Sequence, residues 1–554
     1  MPRVQGTVYE AFRDTARRYP ANDFLCILPH TAAQYLIEAR TYSYADAARE
    51  VAELERIYRS AGVALGQRVG LMLENRPAFF FHWLALNALG ASVVPVNPEW
   101  RSAELEYLVG HSELRVAVVP SERVEELRRA GASAGRAVSV TTPDLSMLTA
   151  GSSGAALSPA PDSAAVAGEA PGVDTECALL YTSGTTGRPK GCVLPNEYFL
   201  WAGRWYAEVG GLCRVAVGQD RLITPLPMSH MNAMACSTMV MLLTGGCIVP
   251  LDRFHPSSWW DSVRESRATI IHYLGVMPAM LLGAPAGPRD RAHAVRFGFG
   301  AGVSPRLHAT FEERFGFPLL EAWAMTETGA GAVVIANHEP RKVGTACFGR
   351  ADPRIDYRIV DDAGQAVKPG EPGELLVRGA GAGPRFGFFR EYLKDPAATA
   401  EAWSGGYFHT GDIVSVDADG DFHFVDRKKN VIRRSGENIS AVEVESVLLQ
   451  HPRIASVGVT AVPDEIRGDE VMACIVPRVA VPDAERAVFA REVLEFCLQR
   501  LAYYKAPGYV GVCERLPLTP TEKIQRARLK DLGRSLLGST ACVDLRSLKK
   551  RTAA

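Results

Sequence analysis

A loop rich in glycine and hydroxyl side chains stands in the middle of the chain, at TSGTTGRPKG (182–191). Its amides, hydroxyls and two cations, Arg188 and Lys190, could wrap a polyphosphate. The loop does not match the GxxxxGK[ST] nucleotide loop, because its glycines are too closely spaced and Pro189 opposes a helix before the lysine. It does not match GxGxxG either. From these residues alone, a phosphate site and a plain surface turn both stay open.

The elements that would position this loop alternate in type from Thr41 onward. AAREVAELERIYRSAG and PAFFFHWLALNALG are predicted helices, whereas QRVGLMLEN, ASVVPVN and RVAVVP are apolar runs typical of buried strands. The strand-like run CALLYT leads into the loop. This alternation predicts parallel strands in an α/β fold. Residues 129–176 are rich in Ala, Gly, Ser and Pro and are predicted to form a long surface excursion.

The sequence pattern changes twice in the second half of the chain. An α/β region from about residue 220 to 317 is followed by turn-rich β structure in RIDYRIVDDAGQAVKPGEPGELLVRG. Past Asp426, a charged stretch leads into a compact α+β unit. The predicted fold class is α/β, with a large N-terminal domain (1–426) that contains parallel-rich sheets and a β-rich subdomain. A small, mobile α+β domain (427–554) follows.

The composition excludes several classes of partner. The formal charge of −1 provides no basic field for nucleic acid or an anionic membrane. The eleven cysteines form no CxxC pair and no metal-ligand spacing. No apolar run reaches the roughly 20 residues that span a bilayer, and the N-terminal stretch lacks the apolar region of a signal peptide. We therefore expect a cytoplasmic protein that binds neither nucleic acid nor membrane.

Seven further motifs follow the loop in order: PLPMSHMNA, FGAGVSPRL, ERFGFPLLEAWAMTETG, GEPGELLVRG, GGYFHTGDI, DRKKNVIRRSGENIS and LPLTPTEKIQRARL. Together with the loop they resemble the adenylate-forming superfamily of acyl- and aryl-CoA synthetases, luciferases and peptide-synthetase adenylation domains. The resemblance covers nearly the whole chain. It implies that a carboxylic acid attacks the α-phosphorus of ATP to give acyl-AMP and pyrophosphate, after which CoA accepts the acyl group.

The resemblance also implies an ATP site built from several of these motifs. The loop and Lys190 would hold the β- and γ-phosphates, and Thr326 would bond the α-phosphate. Trp323 would stack on adenine, and Asp412 would take the ribose hydroxyls. The implied nucleotide-binding residues are Thr182, Ser183, Gly184, Thr185, Thr186, Gly187, Lys190, Gly300, Ala301, Gly302, Trp323, Asp412 and Arg427.

Lys523, Thr326 and Glu327 are the residues implied for catalysis. Glu327 matches the family's Mg²⁺ ligand, and one carboxylate with phosphate oxygens and water suits that ion. Lys523 would bridge the acid and the α-phosphate as a compact charge. The chain departs from the family here, because TEK stands where many members have SGK and places Glu522 beside the lysine.

The second half-reaction would need the C-terminal domain to rotate about a hinge at Lys429. Rotation would remove the lysine and bring up a thiol tunnel lined by Gly436. Arg433 and Arg434 would either meet CoA phosphates or lie in a solvated turn. No carrier-protein motif follows, which favours free CoA, while loading of a separate carrier protein and activation of nitrite stay as alternatives. A homodimer is expected only from the family.

The pocket for the acid is implied at His230, Phe299, Ala324, Met325 and Ala330. Phe299 and Ala324 replace frequent glycines and would shorten the pocket, so we predict a small or medium acid. The TEKIQ and MSHMNA segments bear a weaker resemblance to the crotonobetaine/carnitine-CoA ligase branch. No acidic pocket residue for a quaternary ammonium group is evident in the sequence.

Overall fold

The computed structural model describes residues 5–145, 148, 170–182, 189–380, 383–427, 431–517 and 524–549. The side chains of residues 426, 427, 431 and 527 are not among the parts described. The helices of this part of the chain are α1 (Val8–Arg18), α2 (Pro29–Tyr35), α3 (Tyr44–Ser60), α4 (Pro77–Ala88), α5 (Ser102–Ser112), α6 (Val124–Ser133), α7 (Asn196–Glu208), α8 (Thr238–Thr244), α9 (Trp259–Glu265), α10 (Val276–Leu282), α11 (Pro305–Phe315), α12 (Pro396–Ala402), α13 (Ala441–Leu448), α14 (Arg486–Leu498) and α15 (Arg526–Leu536).

The first sheet of the N-terminal domain has six parallel inner strands and an antiparallel strand at each edge. Its strands are β1 (Asp23–Ile27), β2 (Arg40–Ser43), β9 (Arg221–Thr224), β10 (Cys247–Pro250), β11 (Ile270–Leu274), β12 (Phe297–Ala301), β13 (Leu319–Trp323) and β14 (Val334–Ile335). The order across the sheet is β14-β13-β12-β11-β9-β10-β1-β2. The inner strands are short apolar runs with helices between them, as expected for a buried parallel sheet.

The second sheet is also parallel-rich and has the order β18-β8-β7-β4-β3-β5-β6. Its strands are β3 (Arg68–Leu71), β4 (Ser92–Pro95), β5 (Val116–Val118), β6 (Ser139–Thr141), β7 (Glu176–Thr182), β8 (Lys190–Pro195) and β18 (Glu391–Tyr392). Strand β8 pairs antiparallel with β7 on one side and with β18 on the other. The end of β7 and the start of β8 are therefore adjacent on either side of the glycine-rich loop.

The third sheet is antiparallel and has the order β15-β20-β19-β17-β16. It contains β15 (Cys347–Gly349), β16 (Ile355–Val360), β17 (Gly373–Gly379), β19 (Phe408–Val416) and β20 (Phe422–Arg427). The C-terminal sheet contains β21 (Val431–Arg434), β22 (Glu437–Ser440), β23 (Ile454–Asp464), β24 (Gly468–Pro477), β25 (Tyr509–Val512) and β26 (Cys542–Asp544). Strands β21 and β22 form a hairpin at one edge of this sheet.

One hydrophobic core joins the first two sheets through the helices between them. Helix α4 is buried around almost its whole circumference because its sequence, PAFFFHWLALNA, is apolar on every side. The amphipathic helices α1 and α3 cover this core, and capping boxes define their first turns, with Thr7 and Glu10 at α1 and Ser43 and Asp46 at α3. The packed core fixes the ends of the parallel strands, where the cavity described below opens.

The predicted fold class is confirmed, including the β-rich subdomain and the α+β C-terminal unit. The prediction of a surface excursion over 129–176 was wrong at its start, because α6 extends to Ser133 and β6 adds a strand to the second sheet. The apolar side chains of Leu127 and Val140 are buried there, which offsets the cost of ordering the segment. None of the described helices combines the length and apolarity needed to cross a membrane.

Candidate active site

A cavity of about 270 Å³ opens at the carboxyl ends of β7, β12 and β13. This edge of a parallel sheet is where ligands of α/β proteins bind. Residues from the glycine-rich loop and from four of the motifs that follow it line the cavity together with the β21–β22 hairpin. Among the lining residues are Thr182, Lys190, His230, Phe299, Gly300, Ala301, Ala324, Met325, Thr326, Glu327, Tyr392, Asp412, Arg433, Gly436 and Asn438.

Glu327 has only neutral hydrogen-bond donors around its side chain among the described residues. Thr182 Oγ1 donates to Glu327 Oε1 at 3.3 Å, and the Tyr392 hydroxyl donates to the same oxygen at 3.0 Å. Burial and the adjacent carboxylate raise the pKa of Tyr392, so this hydroxyl keeps its proton. Lys190 Nζ lies 4.6 Å from the centre of the Tyr392 ring. The arrangement leaves a buried carboxylate, hydroxyl groups and a cation at one end of the cavity.

Asp412 is held at the cavity wall by Trp323. The indole Nε1–H donates to Asp412 Oδ2 at 2.8 Å, and the backbone N–H of Asp412 donates to Thr410 Oγ1 at 3.0 Å. Trp323 is only 6% exposed, and its neighbours Ala322 and Ala324 form the cavity wall. In the structure the indole therefore orients the carboxylate predicted to bind ribose, and its stacking on adenine stays a prediction. Arg427 pairs through its backbone with Asp412.

The glycine segment that follows β12 is shaped by a buried glutamate. Gly302 N–H donates to Glu321 Oε2 at 2.8 Å, and the Tyr273 hydroxyl donates to Glu321 Oε1 at 2.6 Å. Gly302 has a φ of +80°, which favours glycine. A Cβ at Gly300 would lie 2.2 Å from the Tyr273 carbonyl oxygen. These constraints explain why Gly300, Ala301 and Gly302 can form a thin wall beside the cavity.

Phe299 lines another part of the wall and stacks on two buried rings behind it. The Phe299 ring centre lies 4.8 Å from those of Tyr206 and His272, and the rings are nearly parallel. Burial lowers the pKa of His272 to about 3, so this imidazole is neutral at physiological pH. Met325 and Ala324 also line the cavity, as predicted. Ala330 does not line it, because the residue is buried and its carbonyl accepts a hydrogen bond from Trp201.

The β21–β22 hairpin of the C-terminal domain reaches into the cavity mouth. Gly436, at its turn, has a φ of +91°, and a Cβ there would lie 2.2 Å from Leu274 Cδ1. The Glu437 carboxylate lies 3.4 Å from His230 Nε2. Arg433 lies beside Gly302. The hairpin thus brings C-terminal residues next to the aromatic and glycine walls.

Both expectations for Arg434 were wrong. The guanidinium is neither solvated nor placed to meet a CoA phosphate, because Arg434 Nε donates to Glu470 Oε2 at 2.8 Å inside the C-terminal domain. Lys549 Nζ donates to the same carboxylate at 2.5 Å, and all three side chains are buried. A buried charge requires such partners, so this group of charges anchors the base of the hairpin.

A second cavity, of about 180 Å³, lies between the two domains. Residues Asn97, Pro227 and Ser229 line it from the N-terminal domain, and Glu437 and Tyr504 line it from the C-terminal domain. Pro227 borders both cavities, and the His230–Glu437 pair joins a residue of the first cavity to one of the second.

The structure brings together most of the predicted site residues that it describes. The predicted residues outside the described range are Ser183, Gly184, Thr185, Thr186, Gly187, Lys429 and Lys523, and the side chain of Arg427 also lies outside it. Sequence reasoning missed Tyr392, Glu437 and Asn232. Asn232 and Glu437 lie inside quoted motifs and could have been examined there, whereas Tyr392 reaches the site through the pairing of β18 with β8.

Comparison with known proteins agrees with this geometry. The AMP-binding enzyme family matches residues 12–392, and the AMP-binding enzyme C-terminal domain matches residues 443–523. A crotonobetaine/carnitine–CoA ligase of Salmonella agona (strain SL483) is 31% identical over 497 residues, which cover 89% of this chain and 93% of that protein.

Solved structures of CoA ligases share the fold. A double mutant of o-succinylbenzoate CoA synthetase from Bacillus subtilis, bound with its product analogue, gives a TM-score of 0.79 at 24% identity, covering 95% of this chain and 99% of that one. The same synthetase in complex with AMP gives 0.64 at the same identity and coverage. A malonyl-CoA ligase product complex gives a TM-score of 0.71 at 26% identity, covering 90% of this chain and 96% of that one. The chain belongs to the AMP-binding enzyme family and is an AMP-forming acyl-CoA synthetase.

Proposed function

We propose that this synthetase activates a small or medium carboxylic acid and transfers it to CoA. The observation that supports this choice of acid is Phe299, which lines the cavity and stacks on the buried rings of Tyr206 and His272 behind it. Stacked and buried rings leave no room for a long alkyl chain to extend in that direction. Ala324 adds a methyl group to the adjoining wall.

The end of the cavity at Glu327 is suited to the phosphates of ATP. Thr182 and Lys190 border it, and the loop between them would wrap the β- and γ-phosphates. Among the described residues no cation forms an ion pair with Glu327, so a carboxylate surrounded by hydroxyl donors fits Mg²⁺ together with phosphate oxygens and water. When bound, Mg²⁺ would neutralise the negative charge that grows on the departing pyrophosphate. Asp412 would hold the ribose hydroxyls.

In the first half-reaction a carboxylate oxygen of the acid attacks the α-phosphorus. A new P–O bond forms, the bond to the bridging oxygen breaks, and pyrophosphate leaves. Thr326 would bond the α-phosphate, and Lys523 would place its charge between the two anions that must approach each other. Lys523 lies outside the described residues, so this role rests on its motif.

In the second half-reaction the CoA thiolate attacks the acyl carbonyl carbon, the bond to AMP breaks, and AMP leaves. The cavity between the domains would admit the thiol arm, with the His230–Glu437 pair at the junction of the two cavities. Rotation about a boundary near residues 426–427, with Lys429 as the hinge, would return the enzyme to adenylation.

Three broader expectations are proposals of the same kind. We place the protein in the cytoplasm, and we retain a separate carrier protein as an alternative acceptor and a homodimer as the assembly. Size-exclusion chromatography with light scattering tests the assembly. Incubation with a phosphopantetheinylated carrier protein tests the acceptor.

The test of the function is a pyrophosphate-release screen over short, medium, aryl and long-chain acids and nitrite, with and without CoA. We expect turnover of short, medium or aryl acids and a thioester product only with CoA. Faster turnover of palmitate than of every shorter acid contradicts the acid class, and nitrite-dependent release without a thioester contradicts the product. A Lys523→Ala variant should lose acyl-AMP formation yet convert supplied acyl-AMP to thioester, whereas Lys530→Ala, in the same basic tail, should keep both.

A further inference from the structure

One polar side chain of the cavity wall has no role in the scheme above. Asn232 begins the π-helical turn Asn232–Ser237, and its partly exposed side chain lines the cavity together with Cys236. π-Helical turns are rare and frequently occur at functional sites. Asn232 lies next to the aromatic wall, because its carboxamide contacts His272, which stacks on Phe299.

A chain of hydrogen bonds fixes the tautomer of His272. The Ser237 hydroxyl donates to the Asn232 backbone carbonyl at 3.1 Å, so its oxygen is left to accept from His272 Nδ1, 2.7 Å away. The imidazole is neutral because burial lowers its pKa. Its Nδ1 therefore carries the proton, and Nε2 accepts from the Tyr206 hydroxyl at 3.0 Å.

The same tautomer fixes the carboxamide of Asn232. Asn232 Oδ1 lies 2.7 Å from the protonated His272 Nδ1 and shares its single proton with Ser237 Oγ in a bifurcated hydrogen bond. The amide nitrogen must then point away from the imidazole, and no described residue accepts a hydrogen bond from it. Asn232 thus offers an N–H donor to whatever occupies the cavity beside Phe299. A donor shielded from water costs free energy unless the ligand supplies an acceptor.

The described charges of the cavity leave no ionic partner for this donor. Lys190 lies over the Tyr392 ring, Arg433 lies beside Gly302, and His230 is paired with Glu437. The carboxylates of Glu327 and Asp412 are held by Tyr392 and Trp323. Among the described residues, a second carboxylate on the acid would therefore have no unpaired cation beside Asn232, and a quaternary ammonium group would have no unpaired anion there.

From this geometry we infer that the acid carries an uncharged oxygen acceptor on its chain, such as a keto or hydroxyl oxygen, which binds the amide nitrogen of Asn232. The inference rests on the proposed function, because it names the substrate class for the same cavity. A site built to hydrogen-bond a substrate group discriminates strongly against an analogue that lacks the group, since its own polar atom is then left unpaired.

The test uses pairs of acids of equal chain length that differ in one oxygen: butanoate with 3-hydroxybutanoate, and hexanoate with 5-oxohexanoate. The readout is kcat/KM for pyrophosphate release. We expect the native enzyme to prefer the oxygenated acid of at least one pair by about tenfold, the value of one hydrogen bond. Asn232→Leu, of similar size, should bring that ratio to about one by raising KM for the oxygenated acid only.

Two further variants sharpen the test. Asn232→Asp should favour an acid with a trimethylammonium group, because it places a carboxylate in the same position. Tyr206→Phe removes the donor to His272 Nε2 and should weaken the discrimination without abolishing turnover of alkyl acids. Preference of the native enzyme for the alkyl acid in both pairs, or an unchanged ratio in Asn232→Leu, overturns the inference. Absence of pyrophosphate release with every acid would instead overturn the proposed function.

Discussion

Lys505 of the C-terminal domain forms a buried ion pair with Glu104 of α5 in the N-terminal domain, with 2.6 Å between Nζ and Oε1. Lys505 Nζ also donates to Glu443 at 2.8 Å. Burial alone lowers the pKa of Lys505, but the two carboxylates outweigh it and raise the pKa above its ordinary value. The ammonium is therefore charged, and its bond to Glu104 is a buried ion pair between the two domains.

We expect Glu104→Gln to disfavour this arrangement of the domains. Removing one partner of a buried ion pair costs about 3–5 kcal/mol, of which the retained Glu443 offsets a part. Single-turnover transfer from supplied acyl-AMP to CoA should slow by about tenfold or more, which corresponds to about 1.4 kcal/mol, whereas pyrophosphate release should not slow. Glu53→Gln, which breaks the exposed pair with Arg56, is the control. An equal loss in both half-reactions would contradict a role specific to docking.

The bond from Trp323 to Asp412 predicts a nucleotide defect in Trp323→Phe. The variant keeps an aromatic ring but removes the indole N–H that donates to Asp412 Oδ2, so the carboxylate loses the bond that orients this oxygen. Hydrogen bonds to charged groups contribute about 1.5–3 kcal/mol, so we expect KM for ATP to rise about tenfold or more and KM for the acid to stay nearly constant. Trp260→Phe, remote from the cavity, should change neither. A rise in both KM values would indicate that the pocket has collapsed.

Sequence reasoning predicted the parts of the site that lie in continuous motifs. Thr326 and Glu327 lie just beyond the end of β13, with two residues between Trp323 and Thr326, and the pattern of apolar runs predicts parallel strands there. It could not predict Tyr392, because only the antiparallel pairing of a two-residue strand with β8 brings that hydroxyl to Glu327.

Long-range charge pairing was equally invisible in the sequence. Arg434 stands in a run of basic residues that is typical of a solvated surface, yet Glu470 and Lys549 enclose it from distant points of the chain. The excursion after residue 129 was misjudged for a related reason, since the burial of Val140 depends on β6 joining the second sheet. The local composition indicates which structure a segment favours. The burial of Arg434 and of Val140 instead depends on contacts with residues distant in the sequence.

The contact of Gly436 with Leu274 predicts a selective block in Gly436→Ala. A Cβ would lie 2.2 Å from Leu274 Cδ1, so either the hairpin or the Leu274 side chain would have to shift. We expect pyrophosphate release to persist and thioester formation to fall by about a hundredfold, or about 2.7 kcal/mol. Gly370→Ala is the matched control, because Gly370 has a similar φ of +86° but no atom within 4 Å of the added carbon. Equal effects of the two variants would assign the defect to backbone strain instead of the contact.

The pair between His230 and Glu437 predicts that docking of the C-terminal domain depends on pH. His230 lines the cavity, and its side chain is 41% exposed. Burial lowers the pKa of His230, but the Glu437 carboxylate outweighs it, so the pKa is raised above about 6.5, the ordinary histidine value. Burial raises the pKa of Glu437, but His230 and then Lys505 outweigh it, so that pKa is lowered.

Because the pKa of His230 is raised, its pair with Glu437 stabilises the docked arrangement fully below about pH 6.5. This stabilisation is lost as the pH rises through the raised pKa. The lowered pKa of Glu437 sets the lower pH limit, because the stabilisation by the pair is lost as the pH falls through that pKa. We therefore expect the ratio of thioester formation to pyrophosphate release, in single turnovers, to fall as the pH rises above this window. Ionisation of the CoA thiol acts in the opposite sense, so the decisive comparison is with Glu437→Gln, in which the fall should be absent. His423→Gln, which removes a histidine paired with Asp417 inside the N-terminal domain, should retain it. A native profile that superimposes on that of Glu437→Gln would show that the pair does not control docking.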